Sequence, residues 1–128
     1  MSRKKEIREI RFFEGRAHSK NTRNVSADIA MANLIGNSAA HIALLPDSEF
    51  AQKEATTYTE DAADTAAGRT WSDREIAEFM ELAKKRAVSE LKARIKKYGL
   101  EESQLDAFAA KAEKYISAFA SNHMEKQS

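Results

Sequence analysis

Ser72 to Leu100 reads SDREIAEFMELAKKRAVSELKARIKKYGL, and this stretch decides the fold class. Ser72 and Glu75 form an S-x-x-E pair in which each side chain can satisfy an orphan amide at a helix start. Behind them Ile76, Met80, Ala83, Ala87, Leu91, Ile95 and Tyr98 recur every three to four residues, the period of one helix face. Gly99 is placed for a left-handed helix stop, with Leu100 behind it to pack back on the last turn.

Outward from this helix the same period continues. Toward the C-terminus a further helix opens near Ser103, with Leu105, Phe108, Ala112, Tyr115 and Phe119 on one face. The short turn between the two helices implies an antiparallel hairpin. Residues 123–128 are expected to fray as a disordered tail. On the other side, Trp71 immediately precedes the capping box and reads as a hydrophobic staple or core anchor, or else as an exposed partner contact. From Asp47 to Ala67, the residues Ala51, Ala55, Tyr58, Ala62 and Ala66 share a face, although Thr56, Thr57 and Thr59 lower helix propensity. Pro46 closes the preceding helical segment. Residues 5–14, KEIREIRFFE, fit either a helix face or strand alternation, and Arg16 to Asn24 is polar, basic and loop-like.

Met31 to Ile42 reads MANLIGNSAAHI. Ser26 caps a helix to about Ile35, Gly36-Asn37-Ser38 reads as a break with a new cap, and a short helix follows from Ala39 to Leu45. The spacing of Ala32, Gly36, Ser38 and Ile42 resembles the helix-turn-helix signature of DNA-binding repressors and partition proteins. The resemblance implies that Ala32 lets two helices approach, Gly36 makes the turn, Ser38 caps a recognition helix and Ile42 buries its inner face. Asn37 stands where that family prefers an aliphatic residue, and the implied recognition helix offers Asn37, Ala39, Ala40 and His41 without Arg or Lys. The alternative reading is two Ala-rich core helices joined at a glycine.

Charge is sorted along the 128 residues. Residues 1–24 carry a net +5, residues 25–83 a net −8 and residues 84–128 a net +4, which leaves +1 overall. Such blocks point to a polyanion surface or to self-association. The hydrophobic fraction is 42%, much of it alanine, so a thin core of closely packed helices is expected and oligomerisation would help cover it. Cysteine is absent, which removes disulfides and thiolate metal sites and fits a reducing, cytoplasmic setting. No apolar run approaches the length of a membrane span, and Met1 to Arg11 does not read as a secretory signal.

These observations predict an all-α protein: a compact four- to five-helix bundle (residues 25–122) with a C-terminal antiparallel helical hairpin and a flexible basic N-terminal arm (residues 1–24). The leading function is backbone-electrostatic binding of nucleic acid. Its expected contacts are Arg8, Arg11, Arg16, Lys20 and Arg23 on the arm and Lys84, Lys85, Arg86, Lys92, Lys96 and Lys97 on the long helix. Base contacts, if made, fall to Ser38 and His41. The alternative is a non-enzymatic protein-interaction module that uses the acidic middle and apolar helix faces. Glu49, Glu54, Glu60, Asp61 and Asp64 read as a solvated or docking face rather than a cation site, because no His stands at di-metal spacing and no calcium loop is present. No metal, cofactor or catalytic motif is called, and an enzyme ranks third.

Overall fold

The computed structural model describes residues 25–127. The arm, including the 5–14 segment, lies outside the described residues. Four α-helices follow in order: α1 (Val25–Leu44), α2 (Glu49–Ala66), α3 (Asp73–Lys97) and α4 (Leu105–His123), with a 3₁₀ turn at Glu102–Gln104 before α4.

Local chemistry sets most of the helix ends. Ser48 caps α2, its hydroxyl accepting from the Ala51 amide at 3.2 Å. At α3 the capping box is complete: the Glu75 amide donates to Ser72 Oγ at 3.1 Å and the Ser72 amide to Glu75 Oε1 at 2.9 Å. At the other end Gly99 takes φ +70°. Its amide reaches the Lys96 carbonyl at 3.2 Å while that of Leu100 reaches Ile95 at 2.9 Å, the paired bonds of a Schellman stop.

The direction of each helix follows from which residues meet. Phe79 lies 5.6 Å from Phe119, ring centre to ring centre, and Lys84 pairs with Glu113, so early α3 faces late α4. His41 pairs with Glu54, and Asp28 with Arg69 just past the end of α2, so α1 and α2 run in opposite directions. Among the described residues α1 packs against all three other helices, whereas the backbones of α2 and α3 do not come within 8 Å. The bundle is therefore organised around α1, with α2 and α3 on opposite flanks.

A helix with neighbours on three sides must be buried around most of its circumference and must let them approach. In α1, Met31, Ala32, Ile35, Gly36, Ser38, Ala39, Ala40 and Ala43 are all buried. Small side chains here allow close interaxial distances, and the larger core residues Trp71, Leu91, Ile116 and Phe119 come from elsewhere in the chain.

The expected break at Gly36 does not occur: α1 runs unbroken from Val25 to Leu44. Gly36 serves the crossing with α3 instead. A Cβ built there would stand 2.6 Å from the Ala83 carbonyl oxygen and 2.7 Å from Arg86 Cβ, so only glycine admits this approach. Ser38 is not a cap either. It is fully buried, and its hydroxyl donates back to the Leu34 carbonyl at 3.0 Å, which satisfies it inside the helix.

The tail also differs from expectation. Met124 is buried, and the chain beyond it lies beside Trp71 as an isolated parallel bridge. The Trp71 amide donates to the Glu125 carbonyl at 2.7 Å, and the Gln127 amide donates to the Trp71 carbonyl at 2.9 Å. These bonds order residues 124–127, where sequence alone suggested fraying.

The Gly36 contact makes a signed prediction. Helix propensity alone would make Gly36→Ala stabilising by about 1 kcal/mol. The clash with α3 should reverse the sign and leave a net loss of about 1–3 kcal/mol, seen as a lower urea midpoint.

Candidate functional site

The predicted contacts on α3 separate into two groups. Lys84 bridges to Glu113 on α4 at 3.4 Å, with both side chains half exposed. Arg86 is structural: its Nε donates to Asn37 Oδ1 on α1 at 3.0 Å, and its Nη2 lies 3.4 Å from Glu90. Glu90 also takes Arg94 Nε at 3.3 Å. The stem of Arg86 passes over Gly36 while its head is held by Asn37, which gives the polar residue at position 37 a structural role.

Lys85, Lys92, Lys96 and Lys97 are exposed and make no ion pair among the described residues. Lys85, Lys92 and Lys96 follow one another at intervals of seven and four residues, so they lie along one line of α3. The buried stripe Phe79, Ala83, Ala87, Leu91 and Ile95 is on the opposite side. Between the lysines lies a shallow hollow of about 470 Å³, lined by Val88, Ser89, Lys84, Lys85 and Lys92, with Glu81 at one end.

The two expected base contacts sit differently. Ser38 faces the core, as described above. His41 is largely buried beside Glu54, which its Nδ1 meets, and its Nε2 is enclosed with no hydrogen-bond partner among the described residues. Because α1 is continuous, the two-helix geometry that the turn motif implies is not present in this segment. Arg8, Arg11, Arg16, Lys20 and Arg23 fall outside the described residues.

Three acidic residues of the middle segment stand on the outer side of α2. Glu60, Asp61 and Asp64 are exposed there, along with Thr57 and Lys53. Phe50 shares this side and is 72% exposed, the most exposed large apolar side chain among the described residues. Sequence reasoning did not single it out, although the signal was present: Phe50 lies off the Ala51–Ala55–Ala62–Ala66 stripe and must point away from it. Among the described residues no group of three or more His, Cys, Asp or Glu is placed to hold a metal ion. No helix is long and apolar enough to cross a membrane.

A second cluster missed in the sequence joins three segments. The Arg69 guanidinium lies 3.6 Å from the Trp71 ring centre and is itself mostly buried. Its Nη1 donates to both Asp28 oxygens at 3.3 and 3.4 Å, and its Nη2 to Glu75 Oε2 at 2.8 Å. Trp71 Nε1 donates to the Ala66 carbonyl at 3.2 Å, so the indole is satisfied as well as buried. The cluster closes the end of the bundle where α1 and α3 begin and α2 ends. Its charges are committed to one another, which assigns it to architecture.

Compared with family models, curated proteins and solved structures, the chain matches none of them.

Glu75 carries the pH dependence of this cluster. The Ser72 backbone amide holds its carboxyl below the ordinary value of 4.5; burial opposes this, and the Arg69 charge and the Ser72 hydroxyl add to the lowering. A carboxyl whose pKa is lower in the folded than in the unfolded chain stabilises the fold above the unfolded value. That stabilisation is lost as pH falls through the folded value. Stability should therefore drop as pH falls below 4.5, and Glu75→Gln should be less stable at neutral pH with a flatter acid limb. Urea midpoints measured across that pH range check it.

Proposed function

We propose that this chain is a small nucleic-acid-associated accessory protein that holds phosphate backbone electrostatically. The observation that carries the reading is the line of Lys85, Lys92 and Lys96 on the outer face of α3, exposed and without acidic partners among the described residues. At 1.5 Å rise per residue the line spans roughly 16 Å. A duplex presents about ten phosphate charges over that length, so an unneutralised lysine row has ample counter-charge. Lys97 adds to the same positive field, with Lys84 available if it leaves Glu113; Arg8, Arg11, Arg16, Lys20 and Arg23, outside the described residues, are the further phosphate contacts of this reading. Sequence readout is not part of the proposal, since Ser38 faces the core and His41 is held by Glu54.

A second reading rests on Phe50. An aromatic residue this exposed, on the helix side that also carries Glu60, Asp61 and Asp64, suits a protein-interaction module that docks through α2. Both readings carry a homo-oligomeric state and a cytoplasmic location, supported by the charge blocks and the cysteine-free composition.

Fluorescence anisotropy with labelled duplex DNA, single-stranded DNA and RNA separates them. Under the leading reading at least one probe binds at low salt. Lys85→Glu/Lys92→Glu/Lys96→Glu should abolish that binding while leaving the helical circular dichroism intact. Single Lys→Gln changes should each reduce the log–log salt slope by about 0.9 on duplex. Failure of all three probes at low salt, or unchanged binding by the triple variant, removes the nucleic-acid reading.

A further inference from the structure

We infer that the outer face of α2 is a docking surface for the lysine face of α3 on a second copy of this chain, giving a directional, head-to-tail self-association. The two faces are largely complementary in charge. On α2, Phe50 projects into solvent and is followed along the helix by Lys53 and then by Glu60, Asp61 and Asp64. On α3, the hollow over Val88 has three lysine stems, Ser89 and, at its N-terminal end, Glu81 for walls, and is followed by Lys96 and Lys97. An aromatic ring seated among lysine stems gains apolar contact and cation–π attraction together.

The charge order favours one direction. With Phe50 over Val88 and the helices parallel, Asp61 lies about 16 Å along α2 and Lys97 about 13 Å along α3, a mismatch that a lysine side chain spans. Antiparallel docking would instead bring Glu60 and Asp61 beside Glu78 and Asp64 beside Arg74, and would lose the pairing with Lys92, Lys96 and Lys97. The complement cannot be met within one molecule, because α2 and α3 occupy opposite flanks of α1 and their backbones stay more than 8 Å apart. The contact is therefore heterologous: each copy keeps one free face of each kind, and association continues until a ring closes. A small interface of this type is weak and salt-sensitive.

This assignment does not depend on nucleic-acid binding, and its test contains none. Nuclease-treated full-length protein is examined by sedimentation velocity at several concentrations. At low salt the weight-average mass should rise with concentration, and it should return to that of a monomer near ~0.5 M salt, where the screening length is only a few ångströms. Phe50→Asp and Lys85→Glu/Lys92→Glu change exposed side chains, and each alone should be monomeric under all conditions. Mixed one to one, the two variants should form a dimer that does not grow, because one supplies an intact α3 face and the other an intact α2 face. The inference is overturned if the parent protein stays monomeric at low salt, if either variant still associates, or if the mixture stays monomeric.

Discussion

The close approach of α1 and α3 at Gly36 is the constraint on which the rest of the bundle depends. The space over Gly36 is filled by the Ala83 carbonyl and the stem of Arg86, with no room for a Cβ. The approach is possible only because α1 presents Ala32, Gly36, Ala39, Ala40 and Ala43 to its neighbours. Beside Met31 and Ile35, this helix buries mostly small residues. Its stability comes from having three partners: α3 and α4 bring Phe79, Leu91, Ile116 and Phe119, while α2 adds the buried alanines Ala51, Ala55, Ala62 and Ala66. The charge distribution follows from the same geometry. With the flanks of α1 given to α2 and α3, the outer side of α2 carries Glu60, Asp61 and Asp64 together with Lys53, and that of α3 carries Lys85, Lys92 and Lys96.

Arg69 and Trp71 hold the near end of this arrangement. Trp71 is buried, and its backbone ties down residues 125 and 127. Arg69 covers its ring and pairs with Asp28 from α1 and Glu75 from α3. A buried arginine of this kind is sustained by two carboxylates and a π-face together, since burying a lone guanidinium would be costly. Glu75 joins this cluster to the helix start, because the carboxylate that meets Arg69 also completes the capping box.

The features legible in the sequence are those set within one turn of chain. The Ser72–Glu75 box, the Gly99 stop, the Pro46 boundary and most of the apolar stripe of α3 depend on spacings of three to seven residues, and the structure has them, although it buries Phe79, which the expected stripe omits, and exposes Tyr98, which it includes. Gly36 was not legible in the same way. Gly-Asn-Ser looks identical whether it breaks a helix or admits a neighbour, and what decides is the contact with Ala83 and Arg86, far along the chain on α3. The tail was illegible for a related reason: its bonds to Trp71 are made by backbone groups, which leave no side-chain pattern. At the candidate site the basic strip could be read, but its division into paired and unpaired members could not. Glu113 and Asn37, which engage Lys84 and Arg86, belong to other helices.

An unbroken central α1, with glycine at its crossing rather than at a turn, is the claim from which the other assignments follow. Native-state hydrogen exchange at the amides of Gly36, Asn37, Ser38 and Ala39 tests it most directly. If α1 is continuous and enclosed, these amides exchange only through global unfolding, as slowly as those of Ala83 and Ala87 in the facing helix. Exchange at these four positions close to the unprotected rate, while Met31 and Ala43 remain protected, would show a turn at Gly36 and contradict the account.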